Sequence, residues 1–526
     1  MKKNFYIIKG LLALLAVSGT FVSCSEDAMD KVNADKNHAT SMASKYILAD
    51  AITSSAFNNV GGDLNTYLSV YVEHAVGVDN QLYNAEHRLN EPSAASTFDN
   101  SWINCYNTLK NARVAIDKCS VGGSEYGNNV TKGVAEVLAA LNSGLITDMF
   151  GDTPWSQAAL VNSVGSPVYL NPKIDIQKDI YVGINQYLDS AIVNLKGTDK
   201  GAIGSYDLLY GGNASKWLKL AYGLKARYTM HLLAKSADKT TDLNNILSYL
   251  DKSFTSVGDQ AAYANYSASE LNPTFDFQWS RDGLGVSKSM SDKLIARNDP
   301  RSRRVYFDSN SLLQLTGTSD AAFNPAPNGT NDQAKNSYTY SMYMYAQTAP
   351  TLLMSYHEVL FLRAEALCRL NRTAEALPVL KAAVVAAIAN TEVSVTAALN
   401  APTVISADKA LTETTVAITP AEAGTFFDTE IAPLFTANPL QETMIQKYIA
   451  FWGASGESTE TYNDIRRMKA LGENFVTLAN PLNTTKFPLR LPYGTSDVTT
   501  NPAVEAAYGD GTYVYTIPVW WAGGAR

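Results

Sequence analysis

MSYHEVLFLRAEALCRLNRTAEALPVLKAAVVAAI, Met354 to Ile388, reads as two helices folded back on each other. Asn371 suits the left-handed residue that closes a helix, and Thr373 suits the cap that opens the next one. The turn between them is therefore short, and the two helices must pack side by side. Pro378 complicates the second helix. A missing N–H costs nothing only in the first turn, so this helix is expected to kink there or to start later.

The same period recurs outward in both directions. In SWINCYNTLKNARVAIDKC, Trp102, Cys105, Tyr106, Leu109, Ala112, Val114 and Ile116 return mostly every three or four residues, as one buried helix face requires. VTKGVAEVLAALNSGLITDMF follows and is closed by Gly151 and Pro154, which makes an antiparallel pair across the loop VGGSEYGNN. In NASKWLKLAYGLKARYTMHLLAK, Asn213 or Ser215 caps a helix striped by Trp217, Leu220, Leu224 and Tyr228. Pairs with Ala-Glu-Ala at the packing turn resemble tetratricopeptide units, although the 34-residue period is degenerate. The expected fold class is mostly α. Divergent tetratricopeptide-like hairpins form a scaffold, and long loop-rich insertions at roughly 155–175, 255–350, 391–418 and 471–526 contain short β-strands.

The N-terminus has a separate grammar. Lys2, Lys3 and Lys9 precede the apolar run Leu11–Val17, which is shorter than the roughly 20 residues that cross a bilayer. The run ends in Phe21-Val22-Ser23-Cys24, which resembles the lipobox of bacterial lipoproteins. That resemblance implies cleavage before Cys24 and acylation of its thiol and amine. The bland alternative is an exported protein whose Cys24 is incidental. The expected organisation is a signal peptide at 1–23, a lipidated flexible tether at 24–40 and a single helical domain with ligand-binding loops at 41–526.

Composition narrows the function. Formal charge is −8, and loss of residues 1–23 removes three lysines and no acid, leaving −11. A phosphate backbone asks for a basic face, so nucleic acid is disfavoured and no such partner is expected. Cys105 and Cys119 share one predicted helix about 21 Å apart at 1.5 Å per residue, far beyond disulfide reach. The five histidines form no H-x-x-x-H pair and no C-x-x-C exists, so neither a metal nor a cofactor is expected.

Several segments occur together in one order: Cys24, WINCYNTLKNARVAID, LITDMFGDTPW, WLKLAYGLKARY, SYHEVLFLRAEAL, IQKYIAFWG, YNDIRRMK, FPLRLPYGTSD and YTIPVWW. This set resembles the SusD/RagB family of outer-membrane nutrient-binding lipoproteins over nearly the whole mature chain. Taken singly, each segment is ordinary packing: Trp102, Trp155 and Trp217 read as core. Arg363 and Glu365 read as buried or half-buried partners, and Arg466 and Arg467 as solvated or ion-paired. The resemblance implies a non-enzymatic lid on a SusC-like TonB-dependent transporter, anchored by lipid and facing the cell exterior. It implies capture of oligosaccharides or, in some branches, peptides. Ser25-Glu26-Asp27 resembles the signal for transfer to that outer face.

Sugar binding needs aromatic faces for the C–H faces of pyranose rings and polar groups for the hydroxyls. GVDNQLYNAEHRLNEPS, residues 77–93, offers Asp79, Asn80, Tyr83, His87 and Arg88. FDFQWSRDGLG, residues 275–285, reads as a strand with Phe275, Phe277 and Trp279 on one face and Asp276 and Gln278 on the other, before Arg281 and Asp282. Trp279 is the preferred platform. SYTYSMYMY, residues 337–345, reads as a strand with Tyr338 and Tyr340 on one face and Tyr343 and Tyr345 on the other, so one pair at most lines a groove. The ligand-binding candidates are thus Trp279, Tyr83, Arg281, Asp282, Asn80, His87, Arg88 and Tyr343.

Enzyme readings find little support. A glycosidase carboxylate pair is a property of the fold and stays open. GxSxG, P-loop and HExxH patterns are absent, and SGES at 455–458 reads as a flexible stretch without a histidine signature. A pure protein-binding scaffold is the third class.

Overall fold

A computed structural model describes residues 42–89, 93–404 and 409–525. The signal segment, Cys24 and the tether lie outside the described residues. The principal helices are α1 (Ser44–Ser54), α2 (Asp63–Tyr71), α3 (Asn80–Glu86), α4 (Asp99–Cys119), α5 (Asn129–Phe150), α6 (Gln177–Asn194) and α7 (Ala214–His231). They continue with α8 (Lys239–Leu250), α9 (Pro273–Arg281), α10 (Tyr356–Arg369), α11 (Thr373–Leu399), α12 (Pro439–Ala450) and α13 (Ser458–Ala470). Strands are short: β1 (Ala75–Gly77), β2 (Thr153–Pro154), β3 (Ile174–Asp175), β4 (Ala261–Tyr263), β5 (Leu284–Val286), β6 (Tyr306–Phe307), β7 (Tyr340–Ser341) and β8 (Thr351–Met354). They pair antiparallel as β1–β5, β2–β3, β4–β8 and β6–β7.

The helices form a row. α1 packs on α4, α4 on α5, α5 on α6, α6 on α7, α7 on α8, α8 on α10, and α10 on α11 and α12. Small residues set the spacing. A Cβ on Gly144 of α5 would stand 2.2 Å from the Tyr228 hydroxyl of α7, and one on Gly133 would stand 2.7 Å from Leu195. α5 is long and apolar enough to cross a membrane, yet its apolar stretch is buried inside this row. Trp102 and Trp217 are core as expected; Trp155 is half-buried, with its indole N–H on Ser143 and Arg113 over its ring.

Asn371 takes the left-handed conformation, φ 59°, between α10 and α11. Thr373, however, is the first helical residue and makes no side-chain cap; the cap position is Arg372. α11 also runs through Pro378 without interruption. Pro378 and Ala374, the residue whose carbonyl loses its N–H partner, are both exposed, so the proline sits on the solvent side of the helix, where the lost bond costs least. The expected insertions hold more helix than anticipated: α11 reaches Leu399, and 255–350 contains α9 and a further helix, Lys288–Ile295.

Charges buried along the row tie it to α13. Arg227 of α7 grips Glu358 of α10 through two bonds of 2.6 Å, while His231 bridges Glu460 of α13 at 2.9 Å and Asp148 of α5 at 3.2 Å. Between those two carboxylates, and against the downward push of burial, the His231 imidazole is raised to about 9. Arg467 of α13 bonds Glu365 of α10 at 2.6 and 2.8 Å and Asp464 at 2.7 Å, and Lys447 of α12 reaches Asp464 at 2.7 Å. Arg466 and Arg467 are therefore buried, not solvated; Arg466 lies 4.0 Å over the Tyr462 ring and 4.9 Å from Trp521. Only such partners offset the cost of taking arginine out of water.

Candidate ligand-binding face

The aromatic stretch expected to be a strand is the helix α9. Asn272 accepts the Thr274 N–H at 2.9 Å, Pro273 occupies the first turn, and Asp282 closes the helix in the left-handed conformation, φ 49°. An Asn-Pro start therefore overrides the two-residue alternation of the aromatics. Phe275 and Phe277 are buried, and the Gln278 amide is spent on both backbone groups of Leu284, at 2.9 and 3.0 Å. Trp279 is 38% exposed, beside exposed Asp276, Ser280 and Arg281. The preferred platform thus stands at the surface on a helix, with its side chain no longer aligned with the phenylalanines.

The β1–β5 ribbon brings α3 beside the end of α9, with Ala75 opposite Val286 and Gly77 opposite Leu284. Gly77 is required there: a Cβ would fall 1.8 Å from the Leu82 carbonyl oxygen. The stretch expected to be a loop therefore has a helix, Asn80–Glu86, at its centre. Asp79 accepts from Gln333 at 3.0 Å and pairs with Lys335 at 2.9 Å; these partners outweigh partial burial and hold its carboxyl below the ordinary range. Asp282 accepts from the Tyr345 hydroxyl at 2.9 Å, and burial pushes its carboxyl up, reinforced by the Asp79 charge and opposed by Lys335. Asp79, Lys335 and Asp282 are thus one electrostatic group joining both stretches. Asn80 is exposed at φ 48°, and Tyr83 and His87 are half-buried with ring centres 4.2 Å apart. The His87 Nε2 lies 3.1 Å from the Asn331 carbonyl.

Arg88 and Tyr343 depart from the expectation. Arg88 is fully buried, donates to the Ala85 and Glu86 carbonyls and to Asn483, and lies 4.9 Å over Tyr71. Tyr343 is buried, its hydroxyl 2.7 Å from that of Thr391 and its ring edge-on to Trp452. Neither meets solvent. The alternation behind Tyr343 fails because only Tyr340–Ser341 is strand and Met342–Tyr345 winds into a 3₁₀ turn, which draws Tyr340, Tyr343 and Tyr345 all inside.

The sequence reading missed a cleft of about 180 Å³ on another side of α9. Phe57 and Asn58 reach it from a π-helical turn, Ser55–Val60; Asp63, Asn100 and Asn104 come from the starts of α2 and α4. Asp276, Phe277 and Arg281 of α9 complete it. Asn100 donates to Asp63 at 3.0 Å, and Arg281 lies 5.1 Å over Phe277. Amides, carboxylates, a guanidinium and two phenyl rings are the groups that hydroxylated rings require. A roomier groove of about 430 Å³ lies between α13 and 472–487. Of the amides that line it, Asn480 and Asn483 are already spent on Glu73, Glu86 and Arg88.

A family model described as "Starch-binding associating with outer membrane" matches residues 36–494. The chain belongs to the SusD-like family. A SusD/RagB family protein of Bacteroides thetaiotaomicron is 54% identical, with TM-score 0.88 over 92% of this chain and 100% of that one. A SusD homologue from Bacteroides fragilis shares the fold at 19% identity, TM-score 0.69, over 91% and 100%. A chitin-binding SusD homologue from Flavobacterium johnsoniae does so at 17%, TM-score 0.65, over 91% and 98%. No curated protein sequence matches the chain.

The SusD-like core contains one serine–histidine contact that the sequence hid. His74 Nδ1 lies 3.1 Å from the Ser458 hydroxyl, and Nε2 lies 3.0 Å from the Tyr448 carbonyl. Burial drives the His74 imidazole down to about 3. Residues 455–458 are mostly buried, not a flexible stretch, and the imidazole is oriented by a carbonyl where a general base would need a carboxylate. Among the described residues no group of three or more His, Cys, Asp or Glu is placed to hold a metal ion.

Behind α3, Glu86 accepts from the Gly329 N–H at 2.6 Å and from Asn480 at 3.1 Å. Burial raises its carboxyl to about 7, eased by Arg88 and reinforced by Glu73. A raised carboxyl makes the folded state bind the proton more tightly. Stability is therefore full below the unfolded value near 4.5 and falls as pH rises through 7, by about 3 kcal/mol. Glu86→Gln keeps the acceptor and removes the charge, so denaturant unfolding at pH 5 and pH 8 is expected to show a smaller pH difference in the variant. Equal differences in variant and parent would contradict this assignment.

Proposed function

We propose that this SusD-like chain is a non-catalytic, lipid-anchored glycan-binding protein of the outer membrane, facing the cell exterior. It captures oligosaccharide and passes it to a SusC-like TonB-dependent transporter. The observation that carries the binding reading is α9: one exposed tryptophan on a short helix whose flanks carry the Asp79–Lys335–Asp282 group and the Asn58–Asp63–Asn100–Arg281 cleft. The chitin-binding relative adds support for a ligand built of hydroxylated and acetamido rings. Division into signal peptide 1–23, tether 24–40 and domain 41–526 belongs to the same proposal, with Cys24 as the acylated residue.

The test is calorimetric titration of the mature chain with chitin-, gluco- and manno-oligosaccharides and a peptide pool. One oligosaccharide class is expected to bind in the micromolar-to-millimolar range and to be recovered unmodified. Release of new reducing ends would make the chain an enzyme. Binding confined to peptides would move the ligand class.

A further inference from the structure

Residues 490–517 build a second cleft that the α9 face does not use. Its volume is about 470 Å³, within the range of small-ligand sites. Asn100 and Asn104 of α4 line the cleft at α9, whereas Trp102 of the same turns leans on Tyr493 of the second cleft, ring centres 5.7 Å apart. Residues two apart on a helix point opposite ways, so α4 stands between the two clefts. At the floor lies Arg490, only 4% exposed. Its Nη2 donates to the Phe150 carbonyl, which closes α5, and to the Tyr493 hydroxyl at 3.0 Å. Among the described residues, Nε and Nη1 hold no hydrogen bond and no carboxylate pairs with the guanidinium. Asp152 lines the same floor: its carbonyl accepts from the Tyr493 hydroxyl at 2.6 Å, and its Oδ1 accepts the Gln177 N–H at 2.8 Å. Ile174, Ile176, Ile517 and alanines of the short helix Pro502–Tyr508 make apolar walls, with Ile176 and Ile517 exposed at the rim.

Closing α5 accounts for Nη2 alone. A guanidinium taken out of water is costly while its other N–H groups are unmet. An anion would meet them but would set a second negative charge beside Asp152, and an ammonium would meet Asp152 but face Arg490. A secondary amide answers both groups at once. Its C=O accepts from the guanidinium, its N–H donates to the carboxylate, and a small alkyl group on it covers isoleucine and alanine. We propose that this cleft holds the acetamido group of an N-acetylated sugar, with the carbonyl on Arg490 and the N–H on Asp152. The choice of a sugar over a peptide, which carries the same amide, rests on the glycan-binding reading above. The α9 face offers a platform to any sugar ring; this cleft selects for acetylation.

Saturation-transfer nuclear magnetic resonance is the test, because it reports which protons of a ligand touch the protein. It is made on the Trp279→Ala chain, so that the α9 face contributes little. With methyl N-acetyl-β-glucosaminide the acetamido methyl is expected to receive the largest transfer, and methyl β-glucoside, which lacks the amide, should bind about tenfold more weakly or worse. Ala506 is exposed on its short helix, so adding Ala506→Trp fills the cleft without entering the core. It should weaken the acetylated sugar about tenfold or more, with circular dichroism unchanged. Arg490→Gln is expected to do the same, and where loss of the α5 contact unfolds that variant, Ala506→Trp decides. Undiminished transfer after Ala506→Trp overturns the proposal, and so does tighter binding of N-acetylalanine methylamide or free alanine than of the sugar. Absence of transfer in the Trp279→Ala chain, while the parent binds the same sugar, overturns the cleft and leaves the α9 reading. Absence of transfer to every sugar in both chains overturns the glycan-binding reading as well.

Discussion

Trp279→Ala is expected to weaken oligosaccharide binding by about ten- to a hundred-fold, or about 1.5–3 kcal/mol, because a sugar ring no longer has an indole to cover. The effect should be confined to the ligand. Trp279 is 38% exposed on a nine-residue helix whose hold on the core comes from Phe275, Phe277 and Gln278, so far-ultraviolet circular dichroism should match the parent. Titration of both proteins with the same oligosaccharide checks it. Unchanged affinity would remove Trp279 from the site and leave the cleft at Asn100 and Arg281 to act without a platform.

Glu365→Ala is expected to cost about 3 kcal/mol of folding stability, because it removes both bonds of the buried Arg467 guanidinium to α10, leaving it Asp464 alone, and one of the bonds of Arg369, which keeps Glu473. Glu365 accepts from Arg467 at 2.6 and 2.8 Å and from Arg369 at 2.8 Å, and neither Glu365 nor Arg467 meets solvent. Against the upward push of burial, those arginines hold its carboxyl far below the ordinary range. The stability it supplies is present above the unfolded value and lost as pH falls. Arg372→Ala breaks an exposed pair with Glu375, which solvent screens, and should leave stability nearly unchanged. Denaturant unfolding of the two variants is the measurement. Similar small losses in both would mean that the buried charges are not coupled to folding.

The scaffold was legible in the sequence because helices announce themselves by period. Asn371, Gly151 and Asn213 close or open helices where turn chemistry says they should. The ligand face was less so. Alternating Phe275, Phe277 and Trp279 fit a strand as well as a helix, and the deciding signal was Asn272-Pro273, just upstream. Arg88 looked like a surface cation, yet Tyr71 of α2 and Asn483, far along the chain, enclose it. Phe57, Asn58, Asn100 and Asn104 carry no local mark at all. They become a cleft only when α2, α4 and α9 meet, which spacing along one chain does not encode.

The charges that cross the row also govern how the molecule can come apart. A file of helix pairs is close to a one-dimensional lattice, free to fray from either end one unit at a time. Here, peeling away a single pair would leave Asp148, Arg227, Glu358, Glu365 or Arg467 inside without its opposite charge. Partial opening is thereby made expensive relative to complete opening, and backbone amides along the row share one protection instead of a gradient. The face built on α9 is braced by an all-or-none body.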